Sequence, residues 1–428
     1  MISDRDATDW IVCQIGAREH YASPAALRQR GLLRALVTDI WLPPDRPWSR
    51  ALRAASPRLA SRYAAELAGA RVLADTLPSI LSRSAARLAP KGANWSRIVA
   101  DNLRFDRFAA AQLRRMPVAP DGGVALCYGY AASQTLRAAS SRGFATILNQ
   151  IDGGPQEARL IAALAQNPGE GAGQGEGSRA ADAPPEDYWR RWRDECETAD
   201  MILVNSAWSR DCLVAEGIAR EKLGVVPLMY RAEGPSVTRR YPTRFDADHP
   251  LVVLFLGAVS LRKGALTLLE AAAALRDQPV EFHIVGRDEL GAAVQKDYAN
   301  LRFFGEAPRG ETPSFYRKAH VFVLPTHSDG FALTQLEAQA HGLPAIVSRR
   351  CGDVVLDGAS GLVLPEPSAA ALRDAILWAL RHPERLCAMS ERARARAEDF
   401  DPARVVEQLR EMGREALRRR RRDLGAGA

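Results

Sequence analysis

The chain is poor in the features that would let cysteine, metal or membrane chemistry carry its function. Its six cysteines, Cys13, Cys127, Cys196, Cys212, Cys351 and Cys387, are scattered through 428 residues with no C-x-x-C or Cys/His ligand spacing. That excludes a zinc site and a disulfide framework, so reduced thiols are expected. The longest apolar run, 251–259, has strand length and falls far short of a bilayer span. The opening MISDRDATDW is acidic and polar, unlike a secretory leader, so a cytoplasmic location is expected. No P-loop, G-x-S-x-G elbow or H-E-x-x-H helix occurs. Asp4-Arg5-Asp6 and Asp246-Ala247-Asp248 do not follow apolar strands, so no metal is expected. Gly175-Glu176-Gly177-Ser178-Arg179-Ala180 matches a dinucleotide fingerprint in form, yet no strand leads into it and no apolar helix follows directly.

What is present is a folded α/β composition: 47% hydrophobic and 25% charged, with a net charge of +7 that comes from arginine. The length suggests two domains of roughly 200 residues. Apolar segments of strand length at 10–16, 36–41, 124–130, 145–150, 201–206 and 223–228, then at 251–259, 280–286, 301–305, 321–326, 345–348 and 361–364, alternate with helix-length stretches. That rhythm predicts buried parallel strands. The pattern pauses over 229–250, which is polar and holds Gly234, Pro235, Pro242 and Pro250, the expected linker. The expected division is residues 1–228, linker 229–250, residues 251–400, and a helix with a basic tail over 401–428. A Gly-, Ala- and Glu-rich stretch at 166–185 reads as a mobile loop. The basic run 414–422 reads as a solvated helix end, or as a peripheral contact with anionic membrane.

Two segments carry chemistry. Residues 320–348, HVFVLPTHSDGFALTQLEAQAHGLPAIVS, run from an apolar strand through a polar loop into a helix carrying Glu337. Such a turn aims unpaired amides out of the carboxyl edge of a parallel sheet, where a phosphate is favoured. Residues 254–264, LFLGAVSLRKG, place Arg262 and Lys263 at the start of another helix after a buried strand. Lys263 stands out because lysine is rare in this arginine-rich chain. Together the two cations make a clamp for a diphosphate.

The first segment resembles the signature of the retaining, nucleotide-sugar-dependent glycosyltransferases of family 4 (group 1): an acidic residue, seven residues beginning Gly-Phe, a glutamate, then Gly-x-Pro. Here these are Asp329, Gly330-Phe331, Glu337 and Gly342-Leu343-Pro344. The family usually has Glu where this chain has Asp329. Many members have Arg where it has Ala258, and Arg262 supplies the cation instead. The resemblance implies a GT-B architecture, two Rossmann-like doubly wound parallel-sheet domains facing a central cleft. The last residues would cross back onto the first domain. It implies that Arg262 and Lys263 neutralise the departing diphosphate, that Asp329 touches the donor sugar, and that Glu337 binds the ribose. The amides of Gly330, Phe331, Ala332, Leu333 and Thr334 would hold the distal phosphate.

By the same resemblance Gly16, in the first loop, lies beside the donor, and His20 near the acceptor. Gly286 and Gly305 frame the nucleobase. Asp152 stands near the place where many members carry a histidine, and is an acceptor-side candidate. The implied partners are a nucleotide sugar and a glycan or lipid-linked acceptor, with no cofactor and no nucleic acid. A GT-B sugar-nucleotide epimerase, a glycan phosphorylase and a non-catalytic nucleotide-sugar-binding scaffold remain as alternatives.

Overall fold

The computed structural model describes residues 9–87, 94–117, 123–166, 184–231, 239–291 and 299–426. Its strands form two sheets. The first holds β1 (Asp9–Gln14), β2 (Leu33–Thr38), β3 (Val72–Ala74), β4 (Gly123–Tyr128), β5 (Ala145–Gln150), β6 (Met201–Val204) and β7 (Leu223–Val225), in the order β3-β2-β1-β4-β5-β6-β7. The second holds β8 (Leu251–Leu256), β9 (Val280–Val285), β10 (Leu301–Gly305), β11 (Val321–Leu324), β12 (Ala345–Ser348) and β13 (Gly361–Leu364), in the order β10-β9-β8-β11-β12-β13. The strand pairs within both sheets are parallel.

Helices cover both faces of such sheets, so central strands read as unbroken apolar runs; every residue of β4, β5, β11 and β12 is buried. β3 is the strand that the sequence pattern does not show. It is three half-buried residues at a sheet edge, too short for any periodicity. In each sheet the order reverses beside the first strand, between β1 and β4 and between β8 and β11. A crevice opens there at the carboxyl ends of the strands, where ligands of doubly wound folds bind.

Helix Pro402–Ala426 does not stay with the second lobe. Val405, Val406, Leu409, Met412, Ala416 and Leu417 join Val12, Leu36, Val124, Leu126, Ile147 and Leu203 in the first lobe's core. The two crossings are tied where the Tyr230 amide donates to the Phe400 carbonyl at 2.9 Å. Most arginines of this helix are engaged within the chain. Arg418 pairs with Glu411 and Glu415, Arg419 donates to the Glu221 carbonyl, and Arg420 donates to the Ser140 hydroxyl and carbonyl at 2.8 and 2.6 Å. Of the expected linker, Arg239 donates to the carbonyls of His341, Ala319 and Tyr316, and Phe245 is buried in the second lobe's core. The stretch expected to be a mobile loop falls almost wholly outside the described residues, which stop at 166 and resume at 184.

Candidate active site

The second lobe's crevice is built by two loops locked together through backbone. After β8, Gly264 caps helix Ala265–Ala274 with φ +74°, and a Cβ there would sit 1.9 Å from the Pro325 carbonyl oxygen after β11. Only glycine permits that approach. The Arg262 carbonyl accepts from the His327 amide and the Thr326 hydroxyl, both at 2.9 Å. With the loops fixed, the two cations converge on one carboxylate. Arg262 Nη1 donates to Asp329 Oδ2 at 2.9 Å and to the Ser328 carbonyl at 3.2 Å, and Lys263 Nζ donates to the same Oδ2. Burial pushes the Asp329 carboxyl up, but Lys263 and Arg262 outweigh it and hold the group well below the usual carboxylate range. Asp329 therefore stands ionised between two cations, and an incoming diphosphate would share them.

The turn that follows is strained. Ala332, the cap of helix Leu333–Ala340, has φ 62° and ψ 78°, a left-handed conformation unusual for a residue with a side chain. It starts a helix whose first amides, those of Leu333 and Thr334, have no carbonyl of that helix to donate to. The Thr334 hydroxyl oxygen is buried and, among the described residues, has no hydrogen-bond partner. Buried hydroxyls are rarely left so, and an anion's oxygen there would satisfy it. Glu337, one turn on, accepts from the Tyr316 hydroxyl at 2.7 Å, while the Tyr316 ring stacks on His341 at 5.2 Å.

Phe331 is a correction to the expected set. Its amide is spent on Asp329 Oδ1 at 3.1 Å, and its ring is buried edge-on against Phe400, centroids 5.9 Å apart. It anchors the turn from behind. On the β9 side, the Gly286 amide donates to the Gly305 carbonyl at 2.8 Å, and a Cβ on Gly286 would lie 1.8 Å from the Gly257 carbonyl oxygen. These glycines let the ends of β8, β9 and β10 close on one another beside the clamp.

The first lobe faces this turn. A Cβ on Gly330 would sit 2.0 Å from the Ile151 carbonyl oxygen, so the lobes touch backbone to backbone. Asp152, the next residue, takes three donors on Oδ1: the Tyr130 hydroxyl at 2.5 Å, Gln150 Nε2 at 2.7 Å and the Gly154 amide at 3.0 Å. The Gly16 amide is occupied by Asp39 Oδ1 at 2.8 Å, and Gly16 has φ +86°. Glu19, His20 and Tyr21 follow in left-handed conformation, with His20 exposed.

Several residues that the sequence does not single out complete the contact. Ser328 donates to Glu157 Oε2 at 2.6 Å and accepts from Trp208 Nε1 at 2.8 Å, while Ser209 donates to the Gly330 carbonyl at 3.4 Å. Burial, then the nearby Asp152, pushes the Glu157 carboxyl up; Arg262 and Ser328 oppose them. In the sequence Glu157 is an ordinary acidic residue in the first turn of helix Gly154–Gln166, and only the folded chain sets it beside Arg262.

Two facing doubly wound parallel-sheet lobes, each with a crevice at its switch point, define the GT-B fold. Residues 242–396 match the sequence profile of glycosyl transferases group 1. Curated relatives include the D-inositol 3-phosphate glycosyltransferases of Corynebacterium aurimucosum, 27% identical over 56% of this chain and 63% of theirs, and of Kineococcus radiotolerans, 29% identical over 54% and 60%. The chain thus spans less than two thirds of the length of these relatives. Among solved structures, sucrose-phosphate synthase from Thermosynechococcus elongatus superposes with a TM-score of 0.59 at 17% identity, covering 98% of this chain and 100% of that one. HepE from Anabaena, in complex with UDP and glucose, gives 0.56 at 12% identity over 95% and 99%. Among the described residues no helix is long and apolar enough to cross a membrane.

Proposed function

We propose that this protein is a retaining glycosyltransferase that moves a sugar from a nucleotide-diphosphate sugar to a hydroxyl of a glycan or lipid-linked acceptor. The pathway would be cell-surface polysaccharide or glycolipid synthesis at the cytoplasmic side of a membrane. The observation that carries the reading is the convergence of Arg262 and Lys263 on Asp329, in the loop that leads into the helix start at Leu333 and Thr334, where one buried hydroxyl lacks a partner among the described residues. In this reading the cations and helix amides stabilise charge on the departing diphosphate, which needs no metal. The bond from the anomeric carbon to the phosphate oxygen breaks as the acceptor oxygen bonds to the same face. The acceptor proton passes to the departing phosphate. Closure of the lobes at Gly330 and Ile151 keeps water out.

The test is a thermal-shift panel of UDP, GDP and ADP, followed by assay of nucleoside diphosphate release with a cell-envelope acceptor extract. One nucleotide should stabilise the protein by about 2.7 kcal/mol at a hundredfold excess over its dissociation constant. Release should need the acceptor. Release without acceptor would point to a hydrolase, conversion of the nucleotide sugar without release to an epimerase, and no stabilisation by any nucleotide would end the proposal.

A further inference from the structure

A cavity of about 1090 Å³ opens in the first lobe, bordered by helices Gly154–Gln166 and Glu186–Thr198, with Asp152 and Glu157 in its lining. Four rings stand around it. Tyr188 lies flat against Tyr130 at 5.0 Å and 11°, and Trp95 and Trp189 each meet Tyr188 edge-on at 5.1 Å. The chain is only 7% aromatic, and all four of these rings are half-buried, whereas Trp192 behind them is fully buried and supplies the packing. The wall is held rigidly. Tyr130 is left-handed at φ 74°; its amide donates to buried Glu195 at 2.6 Å, and its hydroxyl donates to Asp152. Strain of this kind persists where the surroundings over-determine it, and it gathers at binding sites.

The charges at the rim narrow the ligand. Arg159 and Arg193 both pair with Glu216, and Arg190 pairs with Asp187. Among the described residues no clamp for a phosphate is set out there. Ligand sites commonly run to about 300–1,000 Å³, so this cavity suits several rings and would be mostly unfilled by one small phosphorylated polyol.

We infer that this cavity is the acceptor subsite for an uncharged glycan of several rings, one sugar face lying on Trp189 and the reacting hydroxyl turned toward Asp152. The inference rests on the transfer reading and adds the acceptor class to it. Trp189 binds and orients, and takes no part in bond making.

Full-length protein is titrated with maltotriose, cellotriose, chitotriose and inositol 3-phosphate while the heat of binding is followed by isothermal titration calorimetry; UDP, GDP and ADP binding is measured separately by thermal shift. At least one trisaccharide should give a saturable change, weakened about tenfold in Trp189→Ala, as expected for one lost ring contact, and largely kept in Trp189→Phe. The nucleotide shift should be the same in both variants, which also shows that they fold. If a nucleotide binds but no trisaccharide does, or if inositol 3-phosphate alone binds, the acceptor inference is overturned and the transfer reading stands. If no nucleotide binds, the transfer reading fails; a trisaccharide response lost in Trp189→Ala would still support the cavity as a glycan site.

Discussion

Thr334 offers the sharpest test at the residue scale, because its hydroxyl costs the empty protein something and gains it a ligand. In Thr334→Val the buried orphan disappears, so unfolding free energy should stay level or rise by up to about 1 kcal/mol, while nucleoside diphosphate affinity falls. Denaturant melts and thermal shifts on one sample check both. Lys263→Ala should weaken the same ligand about tenfold or more, roughly 1.4 kcal/mol, and also leave Asp329 with one cation where it had two. His320 reports pH. The Val252 amide donates to its Nδ1 at 3.0 Å, and burial with Arg239 nearby lowers its pKa to about 4 from 6.5. The fold disfavours the protonated ring, so its contribution is intact above pH 6.5 and fades as pH falls toward 4. The melting temperature should drop across that window, and the slope should flatten in His320→Gln. Asp329 and Glu337 stood out in the sequence through the family signature that they complete, and Lys263 as a rare lysine at the start of a helix after a buried strand. Tyr316 and Glu157 did not. Tyr316 meets Glu337 from 21 positions away and Glu157 meets Ser328 from 171, and nothing local marks either one.

At the scale of elements, the two crevice loops behave as one part. Gly264→Ala sets a Cβ into the Pro325 carbonyl and forces a left-handed φ, so the second lobe should lose about 3 kcal/mol or more in a denaturant melt. Ala332→Gly, at the other left-handed position, should cost nothing or stabilise by about 1 kcal/mol. A loss there would show that the Ala332 methyl packs in a way its backbone does not predict. The strands were readable because buried parallel strands are near-continuous apolar runs, and β3 escaped because three edge residues make no run. The spacing of Gly264 and Pro325 could not be read, since it depends on two crossovers closing in space. The same holds for Phe331, whose place in the motif suggested a ligand contact and whose ring turned inward to Phe400.

At the scale of the whole molecule, the lobes meet through a small polar clasp at Ser328, Glu157 and Trp208, with Gly330 against Ile151 beneath it. Gly330→Ala should hold the lobes apart without unfolding either one. Small-angle scattering would then show a larger radius of gyration with an unchanged far-ultraviolet spectrum. Identical scattering from variant and parent would mean that the contact yields locally. The two-lobed plan was visible in the alternation of strands and helices. The clasp was not, because it pairs the signature loop of one lobe with Glu157 and Trp208 of the other, and no motif marks either of those two.

Helix Pro402–Ala426 has a consequence for biogenesis. A ribosome delivers the first seven-stranded sheet long before the helix that covers one of its faces, so Val12, Leu126 and Ile147 must wait, uncovered, for Val405, Leu409 and Met412 to emerge. Chains truncated after residue 400 and released should therefore expose a greasy sheet on the half that was translated first, and recruit chaperones there.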